Sequence, residues 1–132
     1  MATWLPKLLL VMLLAGQSPN GARGQEIPIE GGETICIVGG ALAEGFLWAP
    51  FWEVLFQSRF TEANLKVRYL GRAGDTIFSQ PREPGEPSLD DTLHAVKADI
   101  IIGFFGQTEA EGGQAGIRDF DGALNKWLDH TK

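Results

Sequence analysis

Three glycine-bounded segments hold most of the residues that could do chemistry: Gly39-Gly40-Ala41, Gly71-Arg72-Ala73-Gly74-Asp75 and Gly106-Gln107-Thr108-Glu109. The carboxylates in and beside them, Glu44, Asp75, Glu109 and Glu111, supply oxygen ligands of the kind a hard cation takes. Glu109 or Asp75 could instead activate a water molecule directly, which requires a carboxylate with a raised pKa. Loop acids are more commonly just solvated, and no metal ion is expected. Nucleophiles are scarce. Beyond residue 24 the serines are Ser58, Ser79 and Ser88, and none stands in a Gly-x-Ser-x-Gly sequence. The glycines at 39, 40 and 45 do not form Gly-x-Gly-x-x-Gly and no Walker lysine follows them, so a nucleotide site is not indicated. Cys36 lies between Ile35 and Ile37 and reads as a small buried apolar residue. His94 falls inside a short helical stretch and His130 at the end of the last one; both read as surface residues.

These segments must be positioned by the elements around them. Residues 34–38, Thr-Ile-Cys-Ile-Val, form a β-branched run that ends on two glycines, the pattern of a fully buried strand. A helical stretch follows, with Pro50 in its first turn and Phe51, Trp52, Leu55, Phe56 and Phe60 spaced as one apolar stripe that is expected to pack on a sheet. Residues 65–70 alternate, with Leu65, Val67 and Tyr69 on one side and Lys66 and Arg68 on the other, as in an edge strand. After a loop rich in proline and glycine, Ser88 caps a short helix through Leu93 and Val96. Residues 98–105, from Ala98 to Phe105, are apolar without alternation, which indicates a strand covered on both faces. A final amphipathic helix carries Ile117, Phe120, Leu124, Trp127 and Leu128.

The order β-α-β-α-β-α predicts an α/β fold, a three-layer, doubly wound parallel sheet of about three strands in the order 2-1-3, in the flavodoxin-like pattern. The third strand would then be an edge, although its composition is that of a central strand. A strand lost from this chain, or a second molecule, is expected beside it, and self-association through the 98–105 edge is the corresponding partner expectation.

In such sheets the ligand crevice lies at the carboxyl ends of the strands, where the three segments fall. From about Thr34 to Leu128 their order, spacing and flanking residues resemble the SGNH hydrolases, the GDSL-type lipases and esterases. The resemblance implies a serine nucleophile in a Gly-Asp-Ser block, where this chain has Gly39, Gly40 and Ala41. It implies an oxyanion-hole glycine, matched by Gly74 in the second segment, and a Gly-x-Asn-Asp block, matched by Gly106, Gln107, Thr108 and Glu109. Thr108 thus stands where the family has an asparagine donor. A closing Asp-x-x-His block has no counterpart, because Trp127 stands three residues before His130. An alanine methyl cannot attack an ester. The expected function is therefore that of an SGNH-like domain without catalysis and without a cofactor, lacking the family's C-terminal part. Gly40, Ala41, Gly74 and Thr108 are its degenerate site positions. Asp75, Gln107 and Glu109 are candidate contacts for a small ester or carbohydrate. The alternative is a working ester hydrolase that uses a carboxylate.

The ends and the charge narrow the setting. Residues 1–24 have the layout of a secretory signal peptide: Lys7, an apolar run over residues 8–15, then small residues at Ala22 and Gly24, with cleavage before Gln25. Eight apolar residues span about 12 Å as helix, against about 30 Å of bilayer hydrocarbon, so no stable membrane anchor is expected. The organisation is thus a signal peptide at 1–24, an unstructured stretch at 25–33 and one domain at 34–132, in a secreted or periplasmic protein. Loss of Lys7 and Arg23 with the signal would leave 9 basic and 17 acidic side chains and a net charge of −8. That balance disfavours nucleic acid and anionic membrane as partners.

Overall fold

A computed structural model of the chain describes residues 28–131 together with the backbone of residues 7–10. The remainder of the 1–24 segment, its cleavage point and residues 25–27 lie outside the described residues.

The sheet is all parallel. Strand β1 is Lys7–Leu10, β2 is Thr34–Gly39, β3 is Lys66–Tyr69 and β4 is Ile100–Phe104, in the spatial order β1-β4-β2-β3. The three strands expected from residues 34–38, 65–70 and 98–105 are therefore present in the expected 2-1-3 arrangement. Ile35 lies opposite both Val67 and Ile100, and this register brings the carboxyl ends of β2, β3 and β4 to one end of the sheet. The backbone of β1 runs along the outer side of β4, with Lys7 opposite Ile100 and Leu10 opposite Gly103. In the full chain the edge expected to be open is thus occupied by residues from within the 1–24 segment.

Helices cover both faces. On the first, Cys36, Val38 and Ile101 pack with α3 (Leu89–Val96) and α4 (Gly113–His130) through Leu89, Leu93, Phe120, Leu124 and Trp127. On the second, Ile35, Ile37, Val67, Ile100, Ile102 and Phe104 meet α1 (Ala41–Gly45) through Ala43 and α2 (Phe51–Arg59) through Trp52 and Phe56. The alternation along β2 and β4 follows directly from the two-residue period of a strand whose two faces are both buried.

The helix starts differ in quality. Ser88 caps α3 in a full capping box: its hydroxyl accepts from the Asp91 N–H at 3.0 Å, and the Asp91 carboxylate reaches back to the Ser88 N–H. Helix α2 has no side-chain cap, and Pro50 occupies the capping position one residue earlier than expected. No side chain of α2 is fully buried. The stripe expected to pack against the sheet divides: Trp52, Phe56 and Phe60 face the second cluster, while Phe51 is 62% and Leu55 41% exposed. On α4, Ile117 is likewise exposed, ahead of the point where the helix meets the core at Phe120. Spacing correctly placed these residues on one side of a helix, but the width of the sheet limits how many of them it covers.

Residues 28–33 form no regular element. Ile29 packs against the second cluster, and the Gly32 N–H donates to the Ala63 carbonyl at 2.6 Å.

Candidate functional site

Three turns follow the carboxyl ends of β2, β3 and β4, and internal bonds tie them together. The Arg72 N–H donates to the Gly39 carbonyl at 3.0 Å, joining the second turn to the first. Gly39 has φ +132°, and a Cβ there would collide with the Phe104 carbonyl oxygen. At Gly40 a Cβ would lie 2.7 Å from the Asp75 carbonyl oxygen. The backbone of the second turn thus occupies the space that a side chain at position 40 would need. Packing alone therefore calls for glycine at this position.

Ala41 opens α1 and is exposed at this end of the sheet. Its methyl group offers neither a proton nor a lone pair. Gly74, also exposed, closes the turn in which the Asp75 N–H donates to the Arg72 carbonyl at 3.0 Å. Gln107 and Thr108 are exposed beyond β4, and Thr108 precedes a 3₁₀ turn, Glu109–Gly112, without capping it. Gly40, Ala41, Gly74 and Thr108 therefore lie on the three turns at one end of the sheet.

The two acids expected to act on a ligand are used internally. Glu109 is 8% exposed, and its carboxylate accepts from the Ile77 N–H at 2.7 Å through Oε1 and from the Gly106 N–H at 2.9 Å through Oε2. It staples the second turn to the third. The Asp75 side chain is fully buried and receives both guanidinium nitrogens of Arg82, at 2.7 and 2.9 Å. Such a bidentate pair fixes both oxygens. Each oxygen of the two carboxylates thus already accepts a bond from within the chain. Of the candidate ligand contacts, only Gln107 presents an exposed side chain.

Arg82 and Glu86 lie outside the three segments, yet together with Arg72 of the second they shape a neighbouring cavity. It has a volume of about 250 Å³ and lies beside the end of β3, lined by Tyr69, Leu70, Arg72, Arg82, Glu86 and Leu89 among others. Across it Arg72 donates to Glu86 at 2.6 and 3.2 Å. The hydrogen bonds from Arg72, with a further one from the Glu83 N–H, hold the Glu86 carboxyl down at about 2. The only hint in sequence is a pair of arginines in a loop whose acids could neutralise them.

The histidines and the cysteine are where the sequence placed them. His94 is exposed on α3, and His130, 71% exposed, has Nε2 2.9 Å from an Asp90 oxygen. Trp127, three residues before His130, packs edge-on against Phe105 at 5.4 Å within the first core cluster. Cys36 is fully buried, and desolvation pushes its thiol up to about 12. Among the described residues, no three His, Cys, Asp or Glu side chains converge as a cation site, and no helix is long and apolar enough to cross a membrane.

Searches of protein-family models, curated proteins and solved structures returned no match to this chain.

Proposed function

We propose that this chain is an exported, non-catalytic domain of the SGNH type that keeps the crevice of an ester hydrolase without its reaction. The observation that carries this reading is the combination at the crevice: Ala41 stands at the end of β2, while Asp75 and Glu109 are both consumed by internal bonds. A serine-type reaction needs a nucleophile and a base that hold each other in geometry, and a carboxylate route needs an acid free to take a proton. The crevice offers neither. What it retains is binding. Arg72 and Arg82 are already neutralised by Glu86 and Asp75, so the adjoining cavity suits a small neutral ester or carbohydrate better than an anion, which would have to displace a carboxylate.

Hydrolysis of short p-nitrophenyl esters by the purified protein tests the reading. The expected rate is that of the buffer blank, and Ala41→Ser is expected to leave it there, because a serine without a base keeps its unactivated hydroxyl and triad members act as a unit. Turnover well above the blank by the unmodified protein would overturn the proposal. Weak saturable binding of a non-hydrolysable ester or an oligosaccharide, followed through amide chemical shifts of Leu70, Gly71 and Thr92 in the cavity wall, is the expected positive result.

A further inference from the structure

We propose that the outer edge of β4 is an acceptor site for a short, parallel, apolar strand, and that Lys7–Leu10 of the same chain fills it. The inference goes beyond ester binding and does not depend on Ala41. Two observations support it.

The first is the composition of β4 itself. All five residues of Ile100–Phe104 are buried, and the strand holds neither charge nor proline. Natural edge strands are blunted by such residues, and a strand without them is built to be paired on both sides. The opposite edge of the sheet shows the contrast. There β3 presents Lys66 and Arg68, both exposed, and so carries the usual protection against a second strand.

The second observation is the occupant. Lys7–Leu10 runs parallel to β4 in a continuous register, Lys7 with Ile100, Leu8 with Ile101, Leu9 with Ile102 and Leu10 with Gly103. A segment whose sequence reads as the start of an export signal thereby also completes the sheet. Removal of residues 1–24 would take the fourth strand away and uncover the hydrogen-bonding groups of β4, which a second copy of the chain could then satisfy.

Amide exchange on the full-length protein, made without signal processing by cell-free synthesis, tests this. Successive N–H groups of a parallel strand point alternately to its two neighbours. With Lys7–Leu10 in place, the amides of Ile101, Ile102 and Gly103 should therefore all be slow. In the double variant Leu8→Pro, Leu9→Pro, which removes whichever of the two adjacent N–H groups faces β4 and places two prolines in the middle of β1, the amides on the outer side should exchange about 100-fold faster or more, while those bonded to β2 stay protected. Sedimentation of the variant as a dimer with its outer amides again slow would also support an acceptor edge, refilled by a second copy. Fast exchange at every second amide of β4 in the unmodified chain would overturn the proposal, and so would a variant whose β4 amides and monomeric state are unchanged. Should the variant unfold, seen as loss of protection at Cys36 and Ile37 as well, the exchange pattern of the unmodified chain decides alone.

Discussion

The two faces of the sheet are closed to different degrees. On the first face, α4 contributes Phe120, Leu124 and Trp127 and α3 contributes Leu89 and Leu93, all buried. On the second, α1 has five residues and α2 nine, and α2 buries none of its side chains fully. The consequence is visible around α2: Leu47, Trp48, Phe51 and Val54 are 55%, 83%, 62% and 65% exposed. The sheet residues beneath are equally well buried on both sides, so the difference lies in the helices. One face is sealed by α3 together with α4 from Phe120 onward, the other by short pieces that cover the strands and little else.

Substitutions can break or sharpen this contrast. The largest effect is expected from Leu124→Ala on the sealed face, a loss of about 2–5 kcal/mol for a truncated core side chain, read from urea denaturation. Ser88→Ala should cost about 0.5–2 kcal/mol by removing the cap of α3, with the loss of helical signal confined to that element. On the thinly covered face, Phe51→Ser should change stability by no more than about 0.5 kcal/mol, since the ring is mostly in water already. A loss at Phe51 comparable to that at Leu124 would show that the second face is closed more tightly than its exposure indicates.

Much of the sheet was legible in the sequence because each strand carries its environment in its composition. The β-branched run ending at Gly39 and Gly40, the alternation through Val67 and the unbroken apolar stretch through Ile101 correspond to a central, an edge and a doubly paired strand. Ser88 was legible as a cap because the chemistry is local, between residues three apart. The stripes on α2 and α4 were legible as stripes but not in extent: periodicity shows which side chains share a side, and Phe51, Leu55 and Ile117 share it beyond the reach of the sheet. The gathering of the three turns at one end of the sheet was legible, because it follows from three parallel strands in one register. The work of the acids on those turns was not. Glu109 bonds to a backbone group 32 residues earlier in the chain, and a backbone N–H leaves no mark in sequence. Asp75 meets Arg82 only because the loop between them folds back, which no local pattern encodes.

Cys36 gives the sheet a built-in reporter. It is the single cysteine of the chain, it sits in β2 between two paired neighbours, and burial holds its thiol up at about 12. Only the thiolate reacts with an alkylating reagent, and only when reagent can reach it. In the native protein both conditions fail together. Each molecule that becomes labelled has therefore passed through a state in which the middle of the sheet was open to solvent. The rate of labelling by iodoacetamide is accordingly a clock for that opening, and it needs no engineered probe.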